Sequence, residues 1–264
     1  AMEITLYQVD AFTDKVFGGN PAAVCPLDEF LDVGLMQQIA AENNLSETAF
    51  FVKNKDRFDL RWFTPEFEID LCGHATLASA FVVLDLMGHT DDRIHFDTKS
   101  GPLTVTRDNG LLRMDFPARP PKEYEAPAKL LKGMGNPAPK EILASRDAFL
   151  VYEDVDQVRE LAPEFPMLVD LDVMGVIATA PGEPGSGVDF VSRFFAPSAG
   201  IDEDPVTGSA HCTLIPYWSE RLGKNHLTAH QVSARGGVLD CTFEGDRATM
   251  AGQAVLYMKG IITL

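Results

Sequence analysis

The chain has 264 residues, 45% of them hydrophobic and 23% charged, with 39 acidic against 22 basic residues and a formal net charge of −17. Such a length and composition belong to a globular protein of one large domain or two ordinary ones, and the acidic balance disfavours nucleic acid and anionic membranes as partners. No apolar run reaches the roughly 18 residues of a membrane span, and Cys25, Cys72, Cys212 and Cys241 form no CxxC pair, which fits reduced thiols in a cytoplasmic protein.

The first residues, Ala1-Met2-Glu3-Ile4-Thr5, lack the basic and apolar regions of a signal peptide, and Ala1 ahead of Met2 reads as a residue added by cloning. Residues 4–12 alternate as a strand does. Phe17-Gly18-Gly19-Asn20-Pro21 then makes a tight turn with an open backbone. It has neither GxGxxG spacing nor a following Lys-Ser/Thr, so a nucleotide loop is unsupported; an ordinary turn and a ligand-facing loop both stay open. Residues 31–43 place Leu31, Leu35, Met36, Ile39 and Ala40 on one helical face. Asn43-Asn44 should end that helix, since Asn tolerates the left-handed conformation. Glu47 stands where the next strand begins. A carboxyl beside a forming core has its pKa raised by desolvation, which suits a general acid/base; a solvent-facing glutamate at a strand end is the competing reading.

Residues 59–63 read as a strand, and residues 75–87 as a helix apolar on nearly every face, hence buried all round, with Gly88 as its stop. Residues 95–96 and 103–114 read as strands, with Arg107-Asp108-Asn109-Gly110 as a hairpin turn. Residues 116–140 are rich in proline and charge and mark a boundary between lobes, with a short helix near 128–132. The second lobe reads as a strand at 148–152, a short helix at 155–161, strands at 173–180 and 188–195, and a helix from 209 to about 222. Pro216 inside that helix should kink or shorten it. Strands at 238–243 and 247–251 flank Glu244-Gly245-Asp246, and residues 255–264 form the last strand. His226 and His230 are four apart and would share a helix face; they read as a surface pair without metal. The six histidines show no metal-ligand spacing to cysteines or acids, so no metal site is expected.

Arg61, Phe63, Pro65, Ile69 and Asp70 match Arg193, Phe195, Pro197, Ile201 and Asp202 at an offset of 193 − 61 = 132, half the chain length. The two turn glycines repeat at 245 − 110 = 135. A strand, an acidic turn and a glycine-started helix thus occur once in each half. The reading is α+β, with two similar lobes at 1–117 and 118–264, the terminal strand crossing back to the first, each lobe a barrel-like sheet around one buried helix. A ligand belongs in the cleft between two such lobes.

Asp10-Ala11-Phe12, Gly19-Asn20-Pro21-Ala22, Asn44-Leu45-Ser46-Glu47-Thr48, Arg61-Trp62-Phe63-Thr64-Pro65, Cys72-Gly73-His74-Ala75-Thr76 and Asp204-Pro205-Val206-Thr207-Gly208-Ser209-Ala210 span most of the chain. With these motifs it resembles the PhzF-like family of phenazine biosynthesis, within the diaminopimelate-epimerase-like fold. The resemblance implies two pseudo-symmetric lobes, a cofactor-free isomerase acting by proton transfer, and a homodimer. It implies Glu47 as catalytic acid/base with His74, Asp204 and Ser209 as its polar partners. It places Asn20, Gly73 and Gly208 along the substrate pocket. The fold's racemases use one cysteine from each lobe. Cys72 fits the first position, but Pro205-Val206-Thr207-Gly208 offers no second thiol, so Cys72 reads as a packed thiol.

The expected chemistry is a one-base isomerisation, in which Glu47 takes a proton from one carbon and returns it to another. A racemase or epimerase, and a silent small-molecule-binding protein, are the other two readings. The two helix starts, Gly73-His74-Ala75-Thr76 and Thr207-Gly208-Ser209-Ala210, are expected to grip a substrate carboxylate with free N–H groups; capping by Thr76 and Ser209 side chains is the competing reading.

Overall fold

The computed structural model describes residues 1–264. It is an α+β protein of two compact units, one formed by Ala1–Asp115 with Ala251–Leu264, the other by Phe116–Met250.

In the first unit, β1 (Glu3–Ala11) pairs antiparallel with β2 (Asn20–Leu27). Helix α1 (Val33–Asn43) then carries the chain to β3 (Glu47–Asn54), parallel to β2. The helix starts at Val33 because Asp32 caps it, its carboxylate accepting from the Gly34 N–H at 3.0 Å. It ends, as the Asn pair predicts, on Asn44 at φ 53°. Strand β3 runs antiparallel to β4 (Arg57–Phe63), which pairs with the short β5 (Glu68–Ile69). Helix α2 (Gly73–Phe81) leads to β6 (Arg93–Thr98), parallel to β4, and β7 (Gly101–Asp108) and β8 (Leu111–Pro117) follow antiparallel. Asn109 at φ 50° and Gly110 at φ 79° make the tight hairpin turn between the last two.

Helix α2 is buried from Gly73 to Ala80 and packs on β1, β2 and β3, as its all-round apolar sequence requires. It begins two residues before the expected start. Beyond Phe81 it loosens into a π-helical turn, Val82–Leu86, before Gly88 at φ 71°.

The second unit holds β9 (Lys122–Glu123), α3 (Ala128–Met134), β10 (Glu141–Ala144), β11 (Ala148–Val151), α4 (Val155–Glu160) and β12 (Val176–Pro181). It continues with β13 (Phe190–Ala196), β14 (Ile201–Asp204), α5 (Gly208–Leu222), β15 (His226–Gln231), β16 (Gly237–Glu244) and β17 (Arg247–Gly252). The chain returns to the first unit at Ala251, within β17, and β18 (Ala254–Thr263) then runs antiparallel to β1. The connectivity of the first unit recurs: β11, α4 and parallel β12 copy β2, α1 and β3, while β13, β14, α5 and parallel β15 copy β4, β5, α2 and β6. Both copies keep a bidentate arginine. Arg61 grips Glu68 at 2.7 and 2.8 Å across β4 and β5, and Arg193 grips Glu203 at 2.7 and 3.0 Å across β13 and β14. In the second unit, Leu150, Tyr152, Val158, Leu161 and Phe195 are core neighbours under α3 and α4.

Two expectations need correction. Of the two outcomes expected at Pro216, shortening does not occur: α5 runs unbroken from Gly208 to Leu222. A proline there removes the N–H that would bond the Cys212 carbonyl; that carbonyl instead accepts the Arg119 backbone N–H at 2.8 Å. The loss is made good from the linker, so the helix runs on. His226 and His230 lie on strand β15, where their spacing has no helical meaning, and His226 Nε2 is 2.9 Å from Asp240. All four cysteines are free and buried. No helix is long and apolar enough to cross a membrane.

Candidate active site

The first unit gathers Asn20, Glu47, Cys72 and His74 from three different elements. Asp10 accepts the Phe17 N–H at 3.0 Å and so braces the loop that delivers Asn20. Gly19 must be glycine: its φ is +62°, and a Cβ would stand 2.1 Å from the Ala11 carbonyl oxygen. Asn20 then opens β2. Ala22, two residues on and so on the same face, pairs in parallel register with Glu47, the first residue of β3. Asn43 steadies that strand start by donating to Thr48 Oγ1 at 3.1 Å. Gly73 and His74 are the first two residues of α2, with Cys72 as its N-cap.

These placements bring the side chains into one chain of contacts. His74 Nε2 lies 2.9 Å from Glu47 Oε2, and the two side chains are 5% and 11% exposed. On the far side of the ring, Nδ1 is 3.3 Å from Asn20 Nδ2 and 3.3 Å from Cys72 Sγ. Burial pushes the Cys72 thiol up to about 11, helped by the Glu47 charge. Burial alone would lower His74, but Cys72 and Glu47 beside it outweigh that and set it well above its ordinary value. Because Cys72 is a neutral thiol at neutral pH, the charge responsible is that of the Glu47 carboxylate. The two groups are close enough to attract each other strongly in a low dielectric, although Glu47 Oε2 and His74 Nε2 are not aligned as a hydrogen bond. Chemically this is a buried carboxyl group with an imidazole 2.9 Å away.

Glu47, Cys72 and His74 also offer ligand atoms that all lie within 4.8 Å of one another. Sequence spacing hid this cluster, since Glu47 is 74 − 47 = 27 positions from His74.

No side chain caps α2 or α5. Thr76 Oγ1 instead donates back to the Cys72 carbonyl at 2.6 Å, so it leaves the first N–H groups of α2 alone.

In the second unit, Asp204 ends β14, and Gly208 and Ser209 are the first two residues of α5. Asp204 Oδ2 accepts the Thr207 hydroxyl at 2.6 Å. Gln231, from β15, ties the turn together: its Oε1 accepts the Thr207 N–H at 2.8 Å and its Nε2 donates to the Asp204 carbonyl at 2.9 Å. His211 Nδ1–H donates to the Thr207 carbonyl at 2.8 Å, and burial pushes its pKa down to about 4. The Ser209 carbonyl accepts from Arg119 Nη2 at 3.1 Å. Sequence reasoning passed over Gln231 and His211. Gln231 carries no local signal because it arrives from a later strand. His211 was visible as the residue four beyond Thr207, the same step that separates Thr76 from Cys72.

The helix starts are 208 − 73 = 135 apart, so Thr207 stands in α5 where Cys72 stands in α2. Strand β3 opens on Glu47, whereas β12, its copy in the second unit, opens on Val176. The site chemistry is therefore unequal: a carboxylate and a thiol in one unit, an aspartate and a hydroxyl in the other.

A family model described as phenazine biosynthesis-like protein matches residues 9–260. An uncharacterized isomerase of Pseudomonas aeruginosa is 50% identical over 264 residues, with both chains covered entirely. The crystal structure of a PhzF family protein of Enterococcus faecalis superposes with a TM-score of 0.95 at 47% identity over the whole of both chains. A hydroxyproline epimerase from Agrobacterium vitis aligns with a TM-score of 0.60 at 9% identity, covering 98% of this chain and 92% of that one; the likeness there is of fold alone.

Proposed function

The chain belongs to the phenazine biosynthesis-like PhzC/PhzF family and is an isomerase, and from that premise we propose that it moves a proton between carbons of a small carboxylate-bearing substrate, with Glu47 as the single general acid/base. The observation that carries this reading is the buried Glu47 carboxylate held 2.9 Å from His74 Nε2. As a carboxylate, Glu47 takes a proton from a carbon made acidic by an adjacent carbonyl or double bond. The delocalised anion then takes that proton back at another carbon. His74 fixes the carboxylate and stabilises its charge between the two transfers. Proton transfer by a placed group contributes about 10²–10⁴ in rate; positioning and electrostatics supply the rest.

Asp204, Gly208 and Ser209 are given a part in the same reaction, with Asn20 and Gly73, on the strength of the family motifs. The uncapped starts of α2 and α5 favour a carboxylate on the substrate, since N–H groups at a helix start attract anions. The reading needs no cofactor and no metal. It takes the protein as cytoplasmic and as a homodimer, and the exposed Tyr257, Met258 and Ile261 on β18 favour a partner surface there; light scattering that gives a monomer mass would remove the dimer.

Racemisation or epimerisation is the second reading, favoured by Cys72 at the start of α2. Thr207 in the matching place speaks against it, because a two-thiol mechanism needs acids on both faces of one carbon. The test is incubation in deuterated water with panels of unsaturated and amino acids, followed by mass spectrometry and NMR. Deuterium carried to a new carbon supports isomerisation. Deuterium at an inverted stereocentre selects the epimerase, and no exchange with any member leaves the isomerase reading without support.

A further inference from the structure

We propose that Glu47, Cys72 and His74 form a binding site for one thiophilic divalent cation of the zinc or cadmium class, whose occupation withdraws the Glu47 carboxylate from its other work. The three ligand atoms already lie within 4.8 Å of one another. Ligands at about 2.0–2.3 Å from a four-coordinate zinc stand roughly 3.3–3.8 Å from one another; Cys72 Sγ is already 3.3 Å from His74 Nδ1 and Glu47 Oε2 2.9 Å from Nε2, so shifts that give one ring nitrogen to both neighbours bring all three into one shell. The donor set of one thiolate, one imidazole and one carboxylate is that of borderline-soft transition metals rather than of magnesium or calcium.

Charge favours the same conclusion. Binding displaces the thiol proton of Cys72, and the ligating ring nitrogen and the carboxylate bind without a proton. The thiolate and the carboxylate then neutralise a doubly charged ion, and the imidazole stays neutral, so no net charge is left in a buried place. Rigidity is supplied in advance. Cys72 and His74 are two residues apart at the start of a buried helix, and Glu47 is fixed by the strand register. Glu47, Cys72 and His74 are 9%, 7% and 4% exposed, so a bound ion sits in a largely dry place. Three protein ligands leave a fourth position open for water or a substrate carboxylate.

This inference uses the same side chains as the proposed reaction but not the reaction itself, and its test is read without turnover. The intact protein is titrated with cadmium chloride, and the ultraviolet thiolate-to-cadmium charge-transfer band is followed. The expected result is one cadmium per chain, with the band reversed by EDTA. The band should be lost in Cys72→Ala and in the closer-fitting Cys72→Ser, and kept when Cys25, Cys212 and Cys241 are all replaced by alanine. Glu47→Gln should keep the band but raise the cadmium concentration needed by at least tenfold. Absence of the band, its survival in a folded Cys72 variant, or equal affinity in Glu47→Gln overturns the proposal. A cadmium-soaked crystal gives a second reading: an anomalous peak in reach of Cys72 and His74 supports the site, and its absence there at full occupancy elsewhere defeats it.

Discussion

Cys72 and Thr207 hold the same place in the two units: each is the N-cap of the central helix, and each carbonyl accepts a hydrogen bond from the side chain four residues on, Thr76 at 2.6 Å and His211 at 2.8 Å. Where a two-thiol enzyme needs its second cysteine, this chain has a hydroxyl. Cys72→Ala should therefore lower turnover far less than Glu47→Gln does, and should cost about 1–2 kcal/mol of stability. Paired kinetics and urea denaturation check this. Loss of activity as deep as that of Glu47→Gln, with substrate protecting against thiol reagents, would revive a cysteine mechanism.

A comparison of Arg193 with Arg61 separates the two copies of the repeat. Arg193 also donates through Nη1 to the carbonyls of Val158 at 3.0 Å and Leu161 at 2.8 Å, so it closes the end of α4. Glu68, by contrast, keeps Lys99 at 2.9 Å when Arg61 is gone. Arg193→Met should destabilise the protein by about 3–5 kcal/mol and Arg61→Met by clearly less. Chemical denaturation of both variants tests the order, and equal losses would contradict it.

These pairs show how far the sequence reaches. The repeat was legible because arginine, phenylalanine and proline recur at one spacing, and Glu47 was legible as a carboxylate at a strand start. Its partner His74 came only from the family motifs, and Asn20 and Cys72 as neighbours of that ring came from nowhere in the local sequence, because the register between β2 and β3 and the entry of α2 set Glu47 against Nε2 and both Asn20 and Cys72 against Nδ1 of one imidazole. Pro216 misled for a similar reason: the Arg119 N–H that takes the Cys212 carbonyl is 212 − 119 = 93 residues away, and no local rule anticipates it.

The buried His211 gives a pH dependence of known sign. Its folded pKa of about 4 lies below the ordinary 6.5. Between those values the unfolded chain binds a proton that the folded chain refuses, so stability falls as pH drops from 6.5 towards 4, by about 3 kcal/mol in all. His74 is shifted the other way, and its contribution is constant in that window: it is full below 6.5 and is lost only as pH rises through its raised value. Urea midpoints of the parent and of His211→Asn at pH 7 and pH 4.5 check this. The substitution should flatten the fall, and parallel falls would disprove the assignment to His211.

Asp204 offers a kinetic prediction. Asp204→Asn keeps the shape of the turn and an acceptor for the Thr207 hydroxyl, but removes the charge. If Asp204 serves the substrate, kcat/KM should fall by about 10- to 100-fold, the worth of about 1.5–3 kcal/mol for a charged hydrogen bond, with the melting temperature nearly unchanged. Parent-like kcat/KM would remove Asp204 from the reaction.

The most direct measurement is deuterium exchange into a substrate found by the panel, catalysed by Glu47→Gln. Glutamine keeps the size and much of the hydrogen bonding beside His74 but cannot accept a proton. The account predicts exchange at least about 10²-fold slower than in the parent, with circular dichroism and ligand affinity preserved. Exchange within tenfold of the parent would falsify the role of Glu47 as the proton-transferring group.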